Sequence, residues 1–338
     1  RTLLLWEQNG KFVPQKDNKG NKFFNTDDLK GVPEIKEMIE SSWNEELKIK
    51  PLRRYTSIEL FAGGGGLALG MEKAGFHHLM LNEIDKYACA TLKMNRPKWN
   101  IINDDIHNID FKEYRNTVDL LTGGFPCQAF SLAGKRLGFE ETRGTLFFDV
   151  AEIIRRKRPK AFFLENVKGL LIHDKGKTIQ TILKVLREDL DYYVPEPQIV
   201  NAMNFGVPQH RERVYIVGFR KDQNVNEFTY PTPTDTTKTF ADIKEKNTVS
   251  AKYYLSTQYV KTLVAHKERH AAKGNGFGYE IIPDDGVANA IVVGGMGRER
   301  NLVIDDRHNF HNKFDNKVLK VLMKTPYTQD EELKHKPD

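Results

Sequence analysis

The 338-residue chain contains two cysteines, Cys89 and Cys127, and it has no long apolar run. Two thiols cannot form a disulfide framework or a zinc cluster, so we expect no metal site and reduced thiols inside a cell. No segment approaches the roughly 18 apolar residues that cross a bilayer. The first residues, RTLLLWEQNG, turn polar too early for a signal peptide. These absences predict an intracellular protein that has no membrane partner.

The chain also lacks a strong charge imbalance, an internal repeat and a basic tail. Of its 52 basic and 46 acidic side chains, 17 and 16 lie in residues 223–338, and the net charge is +6. This balance permits a polyanionic partner but does not require one. The hydrophobic share of 39% and the charged share of 29% are ordinary for globular proteins, which excludes collagen-like and wholly disordered chains.

From Tyr55 onward, short apolar runs alternate with helix-like patterns. The predicted strands are Tyr55–Leu60, His78–Asn82, Val118–Gly124, Ala161–Asn166 and Arg213–Phe219. The predicted helices are Leu67–Phe76, Lys86–Asn95, Leu146–Lys157 and Thr178–Asp189. This alternation predicts βαβ units, and therefore an α/β fold with a mostly parallel sheet and helices on both of its faces. Ligands of such sheets bind at the carboxyl ends of the strands, where we expect every candidate residue below to lie.

The alternation is confined to the middle of the chain. The first 54 residues are polar and contain one helix candidate, Pro33–Glu46. After Asp222 the sequence is rich in turns, with at best one helix in Ser250–Lys273 and two short strands around a turn in Asn289–Asp305. The predicted organisation is an N-terminal extension over 1–54, an alternating domain over 55–222 and a smaller, irregular domain over 223–338.

A glycine cluster, FAGGGG at residues 61–66, lies between the first predicted strand and a helix. Such a loop can aim backbone N–H groups at a ligand, although many glycine-rich turns are only tight connections. Glu83 ends the second strand, where a carboxylate can accept ribose hydroxyls, and Asp105 follows the next strand, where it can accept a base amino group. Either acid alone is more often a solvated surface charge. The loop and the two acids together favour a nucleoside site.

The segment GGFPCQ places Cys127 directly after Pro126, at the end of an apolar strand. A sharp turn there presents the thiol at the edge of the sheet, where a thiolate can act as a nucleophile. The alternative for any cysteine is a buried, structural side chain. That alternative suits Cys89 on its predicted helix, but it does not explain the glycines and the proline around Cys127.

Two further segments place charged groups at strand ends. Glu165 ends the strand AFFLEN, where a carboxylate can hold or deliver a proton, although it also fits a helix N-terminal charge. In QHRER, the side chains of Gln209, Arg211 and Arg213 point the same way if the segment is extended. They would then offer donors to an anion or a carbonyl, whereas alone the segment is typical of a solvated charge run.

Seven segments occur in a fixed order, namely FAGGGG, NEID, DDI, GGFPCQAFS, RGTLFF, LENV and QHRER. In this order and spacing the chain resembles the DNA cytosine-5 methyltransferases over about residues 55–220. The resemblance implies a Rossmann-like, S-adenosylmethionine-dependent methyltransferase sheet with a smaller, irregular target recognition domain. It implies methyl transfer from S-adenosyl-L-methionine to carbon-5 of a cytosine that is flipped out of a specific double-stranded DNA sequence. It also implies a bacterial restriction–modification enzyme that is cytoplasmic and associated with the nucleoid.

The resemblance assigns a role to each candidate residue. Cys127 would attack carbon-6 of the cytosine, and Glu165 would hold ring nitrogen N3 and the exocyclic amine. Arg211 and Arg213 would order the loop and orient the base carbonyl or a phosphate. The implied cofactor-binding residues are Phe61, Gly63, Gly65, Glu83, Ile84, Asp105, Ile106, Pro126 and Leu146. The segment AFSLAGKRLGF, residues 129–139, would close over the base.

Two C-terminal motifs of the family are not found in residues 300–338 or 1–54. They are an Arg- and Gln-containing helix that ends in a Gln-Gly-Phe-like turn, and a Gly-Asn element that completes the cofactor site. With Arg1 as the first residue, this predicts a truncated chain or a second subunit. GGMGRE, residues 294–299, resembles the end of a target recognition domain, so residues 223–305 would read bases in the major groove. Two alternatives stay open, a non-catalytic DNA-binding subunit and a tRNA cytosine-5 methyltransferase.

Overall fold

The structure of the chain is a computed structural model that describes residues 10, 13–20, 22–23, 54–114, 117–126, 146–234, 237–246, 254–276, 278–291 and 301–305. Cys127, the candidate helix 33–46, the segment 129–139 and the GGMGRE segment lie outside the described residues. The chain divides into two compact units: residues 1–123 with 157–159, and residues 124–156 with 160–338. In the described part, no helix combines the length and the apolar character that a membrane crossing requires.

The first unit is built on four parallel strands with the spatial order β3-β2-β1-β4. The strands are β1 (Tyr55–Leu60), β2 (Phe76–Glu83), β3 (Ile101–Asn103) and β4 (Leu120–Gly123). Helix α1 (Gly66–Lys73) joins β1 to β2, and helix α2 (Lys86–Asn95) joins β2 to β3. The chain moves outward from β1 to β3 and then returns to the other side of β1. The carboxyl end of β1 therefore lies at a topological switch point, where open α/β sheets bind ligands.

Short elements complete the first unit. Two-residue strands at Gln15–Lys16 and Lys22–Phe23 pair antiparallel. Single 3₁₀ turns cover Ile106–Asn108 and Lys112–Tyr114. The core of this unit includes three fully buried residues of the strands, Ile58 and Leu60 in β1 and Leu81 in β2. Strand β1 is buried over its last four residues, which explains why the run YTSIEL forms a central strand.

The predicted helix Leu67–Phe76 is wrong at its C-terminal end. Helix α1 ends at Lys73, and Phe76 is already the first residue of β2. The reason is Gly75, whose φ of 90° is left-handed and is typical of a residue that terminates a helix. The other predicted strands and helices of residues 55–222 agree with the structure to within two residues, except that Thr178–Asp189 is divided into an α-helix and a π-helical turn.

The second unit contains strands β5 (Ala161–Val167), β6 (Tyr192–Tyr193), β7 (Gln198–Asn201) and β8 (Glu212–Arg220). Helix α3 (Leu146–Lys157) precedes β5, and helix α4 (Lys177–Lys184) continues into a π-helical turn at Val185–Asp189. Further 3₁₀ turns cover Lys168–Leu171, His173–Gly176, Ala202–Phe205 and Lys221–Gln223. Strand β8 is antiparallel to β5, β6 and β7.

The direction of β8 corrects one expectation. Arg211 and Arg213 lie at the amino end of a strand, not at a carboxyl end. Because β8 runs antiparallel to β5, its amino end lies beside the carboxyl end of β5, and Arg213 is paired in register with Val167. The two arginines therefore lie at the same edge of the sheet as Glu165, although their strand runs in the opposite direction.

The chain after Asp222 is irregular, as the sequence predicts. Its described residues contain helices α5 (Phe240–Ile243) and α6 (Thr257–Ala271) and three two-residue strands. The two short strands predicted around a turn in Asn289–Asp305 do not pair with each other: Ala288–Asn289 pairs with Gln209–His210, and Asn301–Leu302 pairs with Glu280–Ile281, both parallel. Val260, Leu263 and Tyr279 form a small separate core. The predicted α/β class is confirmed.

Candidate active site

The glycine loop leaves β1 in a left-handed backbone conformation. Phe61, Gly63 and Gly65 have φ values of 56°, 54° and 88°. A Cβ atom on Gly65 would lie 2.6 Å from Cδ2 of Leu92 in α2. Gly65 is therefore required both for its φ angle and for space, while Phe61 accepts a conformation that costs a non-glycine residue energy. Such strain is common where a loop is shaped for a ligand.

Replacing Gly65 by alanine is expected to destabilise the protein by at least about 1–2 kcal/mol, because the left-handed φ is unfavourable for alanine and the new methyl group meets Leu92. Gly70→Ala is the matched control. Gly70 is exposed within α1, and nothing lies within 4 Å of a Cβ there, so alanine should stabilise by roughly 0.5–1 kcal/mol. Urea unfolding of both variants measures the two effects. Equal stabilities would contradict the prediction.

Glu83 at the end of β2 fixes the loop. Its Oε2 accepts the N–H of Gly63 at 2.7 Å, and its Oε1 accepts the N–H of Asp85 at 2.8 Å. The side chain of Glu83 is buried. Each carboxylate oxygen has a second lone pair, so Glu83 can accept ligand hydroxyls while it holds the loop. The sequence predicts that Glu83 accepts ligand hydroxyls, and the structure adds that it holds the glycine loop.

The residues beyond β2 and β3 present an apolar side chain and a carboxylate. Ile84 is 65% exposed. Asp105 accepts the N–H of His107 at 3.0 Å and contacts its Nδ1 at 2.5 Å, and these bonds lower the pKa of Asp105. Glu83 and Asn103 are paired in register, so Ile84 and Asp105 follow neighbouring strand ends. Ile106 is different, because its side chain is buried in the core.

Two asparagines lock these strand ends together. Nδ2 of Asn82 donates to the carbonyl of Asp104 at 2.8 Å. Nδ2 of Asn103 donates to the carbonyls of Glu83 and Ile84 at 3.0 and 2.9 Å. Asn82 belongs to the NEID segment, but no sequence pattern points to Asn103. Its role arises only from the register between β2 and β3.

A buried carboxyl group in β1, that of Glu59, belongs to no motif. Glu59 is 1% exposed and accepts a hydrogen bond from Oγ1 of Thr122 at 3.3 Å. Burial raises its pKa from 4.5 to about 8. Nearby, Nδ1 of His78 lies 2.8 Å from Oγ of Ser57, and burial lowers the pKa of His78. Both groups are therefore held in their neutral forms near pH 7.

Glu59→Gln is expected to stabilise the protein increasingly as the pH rises. In the unfolded chain Glu59 ionises near its ordinary value of 4.5, whereas the folded chain keeps its proton up to about pH 8. The wild type therefore loses stability between these values, by roughly 1.4 kcal/mol per pH unit at most. Glutamine has no proton to lose. Urea unfolding at about pH 5 and about pH 8 compares the two proteins, and a constant difference would contradict the prediction.

The second unit joins Glu165 to both arginines of the QHRER segment. Nε of Arg213 lies 2.8 Å from Oε1 of Glu165, and the two side chains are 18% and 20% exposed. Arg211 interacts electrostatically with the same pair; burial, and then the charge of Arg213, lower its pKa. The backbone of Arg211 is held by Asn201, whose Oδ1 accepts its N–H at 3.1 Å. No sequence pattern indicates that role of Asn201.

The segment that leads to Cys127 is packed against Glu165. A Cβ atom on Gly124 would lie 3.0 Å from Oε2 of Glu165. The buried Asn166 donates from Nδ2 to the carbonyl of Phe125 at 2.7 Å. The next residue, Pro126, is exposed. The second unit therefore brings the carboxylate and the chain just before Cys127 together.

The remaining predicted residue, Leu146, begins α3 and is half-buried. The neighbouring Phe147 packs against Phe125 with ring centroids 5.5 Å apart, which links α3 to the segment before Cys127. Within the described ranges, no group of three or more His, Cys, Asp or Glu side chains is arranged to bind a metal ion.

Comparison with known proteins identifies relatives of this arrangement. The family described as C-5 cytosine-specific DNA methylase matches residues 55–334. The chain is 64% identical to the Type II methyltransferase M.HpaII of Haemophilus parainfluenzae, covering 75% of this chain and 71% of the relative. It is 53% identical to the Type II methyltransferase M.PspPI of Psychrobacter sp. (strain TA137), covering 66% of this chain and 53% of the relative. The chain thus spans about half the length of that second relative.

Solved structures show the same fold. The Entamoeba histolytica methyltransferase EhMeth superposes with a TM-score of 0.53 at 18% identity, covering 70% of each chain.

Proposed function

Because the chain belongs to the C-5 cytosine-specific DNA methylase family, we propose that it transfers a methyl group from S-adenosylmethionine to carbon-5 of a cytosine in a specific duplex DNA sequence. The observation that carries this proposal is the Glu165–Arg213 pair against the backbone of Gly124. Gly124 lies three residues before Cys127, so the proposed nucleophile follows closely in the chain after the segment that contacts the paired carboxylate.

The first unit fits the cofactor. Glu83 has lone pairs left for ribose hydroxyls, the exposed Ile84 offers an apolar surface to an adenine ring, and Asp105 is an anionic acceptor for an amino group. The loop residues Phe61, Gly63 and Gly65 would line the methionine end. When bound, S-adenosylmethionine supplies a methyl group on a positively charged sulfur.

The side chains of the second unit suit attack on cytosine. Carbon-5 of cytosine is a poor nucleophile, so Cys127 would first bond through Sγ to carbon-6. The electron pair of the C5=C6 bond then moves into the ring, and Glu165 would hold the proton on N3. Carbon-5 would then take the methyl group, and the electron pair of the broken sulfur–methyl bond stays on the sulfur. The carbon-5 proton passes to solvent, N3 gives up its proton, the C5=C6 double bond re-forms and the Cys127–carbon-6 bond breaks. The thiolate is thereby regenerated.

The arginines and the irregular region would position the DNA. A stacked base cannot be attacked from above its ring plane, so the cytosine must leave the helix at a cost of a few kcal/mol. Arg211 and Arg213 would orient the base carbonyl or a phosphate of the flipped nucleotide. We assign cofactor binding and catalysis to residues 55–222 and sequence reading to residues 223–305, with residues 1–54 as an extension.

The test is a transfer assay with S-adenosylmethionine labelled in its methyl group. We expect label in duplex DNA, at cytosines of one sequence located by bisulfite sequencing, and none in tRNA. Label only in tRNA would favour the tRNA methyltransferase. A titration of S-adenosylmethionine without detectable binding at high micromolar concentration would favour a non-catalytic DNA-binding subunit. Binding without transfer would point to a partner chain that completes the site.

A further inference from the structure

One side chain joins two short parallel sheets of the second unit, the pair Gln209–His210 with Ala288–Asn289 and the pair Glu280–Ile281 with Asn301–Leu302. The strand Ala288–Asn289 pairs on one side with Gln209–His210. The side chain of Asn301 forms two hydrogen bonds with the backbone of Asn289. The backbone N–H of Asn289 donates to Oδ1 of Asn301 at 2.8 Å, and Nδ2 of Asn301 donates to the carbonyl of Asn289 at 3.0 Å. Both backbone polar groups of Asn289 are therefore bonded by one carboxamide.

This carboxamide takes the place of a neighbouring strand, because it offers the same donor and acceptor as a peptide group. The backbone of Asn301 pairs in register with Glu280 in the second short sheet. Nδ2 of Asn289 also donates to Oε2 of Glu280 at 2.7 Å. Asn301 thus ties three separate segments, which two-residue strands alone would hold weakly.

The strand that Asn301 supports forms a wall beside the candidate catalytic residues. One cavity of the second unit is lined by Val167, Lys168, His210, Arg213, Asn289 and Ala290, among others. Arg213 is the partner of Glu165. The charges at the cavity are balanced, because Lys168 contacts Glu212 at 3.0 Å just as Arg213 contacts Glu165. Because each of these two cations already has a carboxylate partner, positive charge alone would not bind an anion in this cavity.

We propose that Asn301 is a positioning residue that holds the Asn289–Ala290 wall of this cavity, so that a nucleotide of the DNA strand is placed relative to Glu165 and Arg213. The inference rests on the proposed methylation of DNA. Asn301 would then influence which sequences are methylated without touching the cofactor or the reacting base. Its loss would loosen one wall and leave the Glu165–Arg213 pair in place.

The test compares wild type with Asn301→Ala on the duplex sequence found by bisulfite sequencing and on the same duplex with one flanking base pair changed. Two lost hydrogen bonds are expected to raise KM for DNA about tenfold. The ratio of kcat/KM between the two duplexes should fall by about the same factor. The dissociation constant of S-adenosylmethionine should stay within about twofold, because the substitution lies outside the first unit. The control is Asn275→Ala, at an exposed asparagine of the same region.

The ratio between duplexes is independent of how much of the variant is folded, so partial unfolding of Asn301→Ala cannot imitate the expected change. An unchanged ratio in an active variant overturns the inference and leaves the proposed function intact. A wild type that methylates no duplex DNA overturns both. A fall in the ratio for Asn275→Ala as well would also overturn it, since the effect would then not depend on Asn301.

Discussion

Cys127→Ser is expected to reduce methyl transfer by at least about a thousandfold, because a serine hydroxyl is a far weaker nucleophile than a thiolate at neutral pH. The proposed bond between the cysteine sulfur and carbon-6 is the step that makes carbon-5 reactive, so its loss cannot be replaced by tighter binding. Single-turnover transfer to duplex DNA, with enzyme in excess, measures the chemical step directly. S-adenosylmethionine binding should stay at the wild-type level.

The matched control is the same substitution at the other thiol. Cys89 is buried in α2, and its Sγ donates to the carbonyl of Glu83 at 3.4 Å. Burial raises the pKa of Cys89, which keeps it an inert thiol, and serine retains the donor. We expect Cys89→Ser to keep its rate within about threefold. Transfer by Cys127→Ser at a comparable rate would refute the covalent mechanism.

A trapping experiment adds a second readout for Cys127. With S-adenosylmethionine present, a methylated carbon-5 that carries fluorine has no proton to lose, so a duplex with 5-fluorocytosine at the target position should remain bonded to the enzyme. Mass spectrometry should find this adduct on Cys127 in the wild type and find none in Cys127→Ser. An adduct on another residue would assign the nucleophile elsewhere.

Glu165→Gln is expected to lower kcat by about 100- to 10,000-fold, the range for loss of a group that exchanges a proton with the reacting molecule. Glutamine has nearly the same size and still offers an acceptor to Nε of Arg213, but it cannot hold or release a proton. Both side chains of the pair are mostly buried, so Arg213 would also lose a charged partner in a poorly solvated place. KM for S-adenosylmethionine should change little.

Two further variants separate chemistry from folding. Glu152 in α3 pairs with Arg155 and Arg156, which hold its pKa at about 2, and Glu152→Gln should leave kcat unchanged. Arg213→Lys keeps the charge but loses the planar guanidinium, so we expect a smaller loss of kcat, about tenfold. Urea unfolding gives the stability of each variant. Wild-type kcat in Glu165→Gln would show that no proton moves through Glu165.

Glu83 and Glu59 show which features of a residue can be predicted from its neighbours in the sequence and which cannot. Glu83 can be predicted as a ribose-binding acid because its position at a strand end follows from the run HLMLN before it. Its bond to the N–H of Gly63 depends on how two strands are paired, and local patterns carry no information on pairing. The burial of Glu59 is hidden from local patterns for a similar reason. An acid within YTSIEL has no signal of its own, and its burial becomes visible only when β4 and α1 cover it.

By itself the sequence determined the order of strands and helices, the family and the candidates Cys127, Glu165 and Glu83, because apolar periodicity and short motifs are properties of neighbouring residues. Only the tertiary structure decided that β8 runs antiparallel, which places Arg213 on Glu165. It also decided that Asn301 takes the place of a strand beside Asn289. Both contacts join residues far apart in the chain, and they depend on strand direction and register, which long-range packing selects.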